Sequence, residues 1–352
     1  MKHILFITGG AGYVGTMLCE QFSKRDDVEK IIALDKEPMP ESLVGNKKIE
    51  WITANTADDS WQEKVASFSP DTVIHTAWQI REIYGNRPLT WKWNIEGSDA
   101  VFNFSFKTLS VKRLVYFSTV ASYGAFSDNT IEHLFTEEEP FRKTDYLYAE
   151  EKRITEEHLE NLYGASDKRV SVAVLRPAAI TGPRGRFVRI RFGLQSALSG
   201  QLSGSFAYSL VSLLVSWVPA TKKWCRQFIH EDDVNDIVET LSFDDFSGKY
   251  EIFNICPPGP VVLSADMARA VGKRRIFVFP WMMRFANFVF WHLTRGKIPT
   301  GKGAWKSYSY PIAVDGSKVT RVLGYTYKHP SLSAFVSTKG RYEQYVPEAL
   351  RK

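Results

Sequence analysis

The chain opens on an apolar, partly β-branched run that stops at a glycine-rich turn: HILFITGGAGYVG, residues 3–15. Few short patterns restrict a backbone more. Gly9, Gly12 and Gly15 fall at intervals of three, and a helical pattern resumes after them, so the stretch reads as strand, tight turn and helix start. Such a turn lets the backbone approach a pyrophosphate closely, with the helix N-terminus facing its negative charge. The second strand-like run, KIIALD, ends on Asp35, twenty residues beyond Gly15. A carboxylate there can accept hydrogen bonds from adenosine ribose hydroxyls, and it repels a 2′-phosphate. The expected cofactor is NAD rather than NADP, with Lys36 beside the carboxylate as the one feature on the other side.

Further runs, IEWIT, TVIHTA, RLVYFS and VSVAVLR, alternate with helix-length stretches such as 13–25 and 90–108. Short apolar runs separated by helices imply parallel strands buried on both faces. The expected fold is α/β: a Rossmann-type doubly wound parallel sheet over residues 1–176, with a smaller, mixed substrate-binding part over 177–352. Within that second part, about 222–256 is expected to return to the sheet.

The three cysteines, Cys19, Cys225 and Cys256, show no C-x-x-C spacing, which argues against a disulfide framework or a zinc site and for a reducing, cytoplasmic setting. No histidine has metal-ligand spacing, His75 and His230 included, so no metal is expected. The net charge of +6 is gathered in clusters such as PRGRFVRIR and GKRR, which suits anionic partners. No aromatic-interleaved basic element of a nucleic-acid module is present, and nucleic acid is not an expected partner. Two stretches, 206–218 and 277–293, are unusually apolar. Both are too short or too interrupted to span a membrane. They read equally as packed core or as a substrate lid, a subunit contact or peripheral membrane contact, the last through 277–293.

YLYAEEK, residues 146–152, holds a tyrosine and a lysine four apart. On a helix Tyr148 and Lys152 share one face, and an ammonium near a phenol favours the phenolate. Taken with HTA (75–77), YFSTVASYG (116–124), LRPAAITGP (175–183) and RQFIHEDDV (226–234), in that order, the chain resembles an extended short-chain dehydrogenase/reductase of the NAD-dependent epimerase/dehydratase group. The resemblance covers about residues 3–240, and VDGSKVTRVLGY is similar to the late segment of such enzymes.

That resemblance implies Thr119, Tyr148 and Lys152 as the catalytic residues, with Tyr148 as acid/base and Lys152 both lowering its pKa and holding the nicotinamide ribose. It implies cofactor contacts from Gly9, Gly12, Tyr13, Val14, Gly15, Asp35, Asn55, Thr56, Ala77, Trp78, Asn94, Ser118 and Pro177, besides Tyr148 and Lys152. Asn55-Thr56 departs from the group's usual Asp followed by an aliphatic residue. Thr119, Ala179, Arg186 and Arg226 are implied at the substrate, a small molecule, and family members often pair as homodimers.

Thr119 is followed by Val120-Ala121 rather than the acidic pair of dehydratases, which disfavours dehydration. Two readings of the reaction remain. A nucleotide-sugar epimerase would use Arg226 and the Arg184, Arg186, Arg189, Arg191 cluster on a diphosphate, though Ala179 replaces a usual asparagine. A one-way dehydrogenase or reductase of a hydrophobic alcohol or ketone resembles the 3β-hydroxysteroid dehydrogenase and dihydroflavonol reductase branch, and suits Ala179 and the aromatic 277–293 stretch. A non-catalytic NAD-binding sensor is a third, less consistent with a retained Tyr148 and Lys152.

Overall fold

In this computed structural model the described residues are 2–167, 169–185, 206, 217–244, 249–270, 272 and 274–351. The strands are β1 (His3–Thr8), β2 (Val28–Asp35), β3 (Ile49–Thr53), β4 (Thr72–His75), β5 (Arg113–Phe117), β6 (Ser171–Pro177), β7 (Ala179–Thr181), β8 (Trp217–Ala220), β9 (Cys225–Arg226), β10 (Phe228–His230), β11 (Tyr250–Ile255), β12 (Val262–Leu263) and β13 (Arg274–Phe277). The helices among the described residues are α1 (Tyr13–Phe22), α2 (Gln62–Ser67), α3 (Arg87–Trp91), α4 (Gly97–Lys107), α5 (Leu147–Ala165), α6 (Glu231–Phe243), α7 (Ser264–Ala270), α8 (Pro280–Leu293), α9 (Ser317–Leu323) and α10 (Ser331–Val336).

Seven strands form one parallel sheet in the order β11-β6-β5-β4-β1-β2-β3. Successive side chains on a strand point to opposite faces, and both faces are covered. Leu5, Ile7, Ile31 and Ala33 pack with Leu18 and Phe22 of α1, Val234 and Ile237 of α6 and Val319 of α9. Phe6, Ile32 and Leu34 pack on the other side with Val65 of α2, Val101 and Phe102 of α4 and Leu159 of α5. This double burial is why the strands are apolar almost throughout. The chain reverses its winding between β1 and β4, and a crevice at that point, beyond the carboxyl ends of the strands, is the usual ligand seat of such sheets.

The first core contains residues from Leu5 to Val319, so it spans both sides of position 177. Of the stretch 222–256, Tyr250–Ile255 joins the central sheet beside β6. The expected strand in RQFIHEDDV does not. β9 pairs with β12 and β10 with β7, in small sheets at the rim, because Ala179–Thr181 leaves the central sheet just after Pro177 and takes β10 with it. α6 follows at once and packs against α1, where Glu239 bonds Gln21 and Arg25.

α5 is held from beneath. Arg176 of β6 donates to both carboxylate oxygens of Glu156 at 2.7–3.1 Å and to the Tyr123 hydroxyl at 2.7 Å, with all three side chains buried. Tyr123 in turn donates to Asn254 of β11 at 3.0 Å. α5, β6 and β11 and the turn Val120–Tyr123 are thereby joined in one network.

Candidate active site

The carboxyl ends of β1–β6 open into a cavity of about 1480 Å³. Ligand pockets commonly measure about 300–1,000 Å³, so this one has room for two sizeable molecules. Its first half lies over the glycine turn. Gly9 has φ +75°, which favours glycine, and a Cβ there would come within 2.6 Å of the Thr76 hydroxyl and 2.7 Å of the Ala77 nitrogen. Gly15 does not reach the cavity. A Cβ on it would collide with the Gly9 carbonyl, so it lets α1 pack against the turn while Gly9, Gly12, Tyr13 and Val14 form the wall. Tyr13 is fixed by a hydrogen bond from its hydroxyl to buried Glu231, which also accepts from the amides of Arg184 and Gly185 at 3.0 Å.

Asp35 ends β2 at the wall. Its carboxylate accepts from the Ala11 and Glu37 amides, each at 3.0 Å, which aims it at the cavity edge. Lys36 pairs instead with Glu37 at 2.6 Å and lies over the Trp93 ring. Asn55 and Thr56 line the neighbouring wall, with Asn55 Oδ1 accepting from the Ala57 amide at 2.9 Å. The donor set fits a dinucleotide: a glycine cradle that a Cβ would fill, a terminal carboxylate, and a buried Ser118 hydroxyl without a protein partner facing the same space. Asp35→Ser should raise the NADP-to-NAD ratio of kcat/KM by at least about tenfold, since one repelling charge is removed near the 2′ position; an unchanged ratio would show that Asp35 does not face the ribose.

Thr119, Tyr148 and Lys152 converge on the centre of the cavity, with Ser118, Ala77, Trp78 and Pro177 around them. Thr119 caps the turn Val120–Tyr123, its Oγ1 accepting from the Ala121 amide at 3.2 Å. Tyr148 is four residues from Lys152 on α5, as the spacing implied. The expected electrostatics differ. Desolvation raises the Tyr148 pKa, and what opposes it is a hydrogen bond with Thr119. The Lys152 ammonium instead donates to the Phe117 carbonyl and lies 3.6 Å from the Trp78 ring centroid and 4.7 Å from that of Tyr116. Burial holds its pKa well below the usual lysine value, against the pull of Glu156 and Glu151. Its side chain thus leans toward the sheet, where the faces of two rings stabilise the cation.

Asn94 is the other expected cofactor contact that lies elsewhere. It sits on a π-helical turn, Lys92–Glu96, between α3 and α4, and is buried. Its amide accepts from the Gln79 nitrogen at 2.8 Å and donates to the Gln79 carbonyl at 3.1 Å and to Glu151 at 2.7 Å. The residue positions the chain after β4 instead of lining the cavity. A π turn aims one side chain inward at the cost of helical regularity, and such turns recur at functional sites. Glu151, its partner, is buried with Oε1 unbonded, and desolvation raises its pKa. Sequence reasoning passed over Glu151 as one more acid on a helix; the available signal was that it precedes Lys152, on the inward side of α5. His75 is structural: it bonds Thr8 at 2.7 Å and Ser98 at 2.8 Å, and burial lowers its pKa to about 3.

The second half of the cavity lies beyond Thr119 and Tyr148. Ala179 and Arg226 line it, and the Arg226 guanidinium lies 5.2 Å from the Tyr308 ring centroid. Arg186, Arg189 and Arg191 lie outside the described residues. One unforeseen cluster lies outside the cavity wall: His230, Asp232 and His329 bring ligand atoms within 4.8 Å of one another. The two imidazoles stack with centroids 3.9 Å apart. Their lone pairs, in the ring planes, run side by side and do not converge on one ion, so this arrangement is packing between α6 and the late chain.

Comparison with known proteins agrees with the fold. WbmG of Bordetella bronchiseptica, crystallised with NAD, superposes with a TM-score of 0.68 over 95% of this chain and 92% of that one at 21% identity. The sterol-4-alpha-carboxylate 3-dehydrogenase ERG26 (decarboxylating) of Candida albicans is 28% identical over 193 residues, 52% of each chain. The N-acetyl-alpha-D-glucosaminyl-diphospho-ditrans,octacis-undecaprenol 4-epimerase of Escherichia coli O157:H7 is 25% identical over 187 residues, 53% of this chain and 51% of that protein. The chain spans about half the length of the curated relatives it matches. A family model, described as the NAD dependent epimerase/dehydratase family, matches residues 5–256. With the crevice, the glycine cradle and the Thr119, Tyr148, Lys152 group inside that span, the chain belongs to the NAD dependent epimerase/dehydratase family.

Proposed function

We propose that this enzyme catalyses NAD-dependent hydride transfer at a secondary alcohol or ketone of a largely apolar substrate. The observation that carries the reading is the substrate half of the cavity. Val218, Phe228, Met283, Phe290, Ile312 and Phe335 are among its walls, and among the described residues Arg226 is the only cation and no carboxylate lines it. Among the described residues, a nucleotide diphosphate in such a space would find one fork-like donor, Arg226, to offset its desolvation. The absence of an acidic pair after Thr119 supports hydride transfer without elimination. The sterol dehydrogenase relative supports the substrate class.

Gly9, Gly12, Tyr13, Val14, Asp35 and Ser118 would hold the dinucleotide. Bound NAD supplies the hydride acceptor, and its reduced form the donor. Thr119 orients the substrate oxygen by a hydrogen bond. Tyr148 takes the hydroxyl proton during oxidation or returns it during reduction. Lys152, fixed on the Phe117 carbonyl beside the Trp78 ring, sets its amine at the floor of the cavity. The apolar walls exclude water while the proton moves.

A second reading rests on Arg226, which can meet one phosphate: epimerisation of a diphosphate-linked sugar, as the Escherichia coli relative's name describes for that protein. Incubation with NAD or NADH and two panels separates them, one of sterol-like and long-chain acyl alcohols and ketones, the other of nucleotide sugars. Change in NADH absorbance with the first panel is expected. Inversion of a sugar carbon with no turnover of any apolar substrate would overturn the proposal, and inertness to both would leave a cofactor-binding sensor.

A further inference from the structure

We infer that the outer face around α8 docks on an anionic membrane surface. The face is apolar where it meets solvent: Phe277, Phe279, Trp281, Phe285, Phe288 and Leu293 are each 61–76% exposed. Trp281, Phe285 and Phe288, at i, i+4 and i+7 on α8, form one stripe that runs from the cavity mouth, which Trp281 and Phe285 also line, onto the outer face. Aromatic side chains in such a stripe suit the headgroup boundary of a bilayer.

Charge identifies the occupant. Residues 267–314 contain nine lysines and arginines and no aspartate or glutamate, in a chain with 39 acids overall. Among the described residues no ion pair engages Arg274, Arg284, Arg295 or Lys297, and Arg274, Arg284, Arg295 and Lys297 are exposed. A second copy meeting this face through a two-fold axis would set cation against cation. An anionic lipid surface accepts both components, taking the rings into the headgroup layer and the cations onto its phosphates. No helix among the described residues is long and apolar enough to cross a membrane, so the contact is peripheral.

The face is continuous with the cavity. α8 carries Met283 and Phe290 on its inner side, as cavity wall, and Phe288 on its outer side. An apolar molecule could pass from bilayer to cavity along one helix without crossing water. That last step rests on the apolar-substrate reading; the docking does not.

The test is sedimentation of the whole chain with vesicles of phosphatidylcholine alone or with about one third phosphatidylglycerol. Anionic vesicles should bind at least about tenfold more strongly, and added salt should weaken that binding. Phe277→Ser with Phe279→Ser and Phe288→Ser, none lining the cavity, should lower the binding about tenfold or more while NAD binding and melting temperature stay at wild-type values. Several outcomes overturn the inference: no sedimentation with either vesicle, equal sedimentation with both, or a triple variant that binds like wild type. So does a triple variant that turns a dimer into a monomer, which assigns the face to a second copy. A triple variant whose melting temperature falls by several degrees assigns it to the chain's own packing and equally overturns it. Because sedimentation reads no turnover, its result stands apart from the outcome of the substrate panels.

Discussion

Tyr148→Phe is expected to lower turnover by about 10²- to 10⁴-fold in both directions, with little change in NAD affinity. The substitution keeps the ring and its contact with Tyr146, at 5.9 Å between centroids, and removes only the hydroxyl that meets Thr119. The pH profile adds a second signature. Desolvation raises the Tyr148 pKa above the ordinary phenol value, so at neutral pH the proton is in place. Reduction, which needs the proton, should be flat through neutral pH and fall only at strongly alkaline pH. Oxidation, which needs the phenolate, should rise with pH. Initial rates of both half-reactions from pH 6 to about 10 check this; turnover by the phenylalanine variant at the wild-type rate would remove Tyr148 from the chemistry.

Arg176→Met should cost about 3–5 kcal/mol of folding stability, the range for removing one partner of a buried ion pair. The side chains of Arg176 and Glu156 are 6% and 7% exposed. Removing the arginine strands the Glu156 carboxylate beneath α5 and takes a donor from the Tyr123 hydroxyl. Adding Glu156→Gln should recover part of the loss, because the stranded charge is then gone. Denaturant melts of the two single variants and the double variant measure it. A loss below about 1 kcal/mol for Arg176→Met would mean that the site admits water and that the network is not what holds α5.

The parts legible in the sequence were those whose residue choice is dictated locally. Five of the sheet strands, β1, β2, β4, β5 and β6, are largely buried on both faces and so read as apolar runs between helices. Gly9 and Gly15 are demanded by a left-handed φ and a close backbone approach. Tyr148 and Lys152 stand one helical turn apart. What was not legible depends on contacts distant in sequence. Asn94 has the composition of a helix-start residue, and only the fold reveals that it reaches Gln79 and Glu151. The Lys152 ammonium turns toward Trp78 and the Phe117 carbonyl, which no spacing within α5 could disclose. β10 left the central sheet for β7 because of where the chain goes after Pro177. The apolar 277–293 stretch read equally as core or surface, since α8 has one face on the cavity and the other in solvent.

The amide of Asn94 grips two things at once: the strand end that carries Trp78 and, through Glu151, the helix that carries Tyr148 and Lys152. Cofactor seat and proton donor are therefore yoked like two arms of one lever. Besides the Arg176 network beneath α5, alignment of the two reacting partners thus depends on a side chain that neither of them touches.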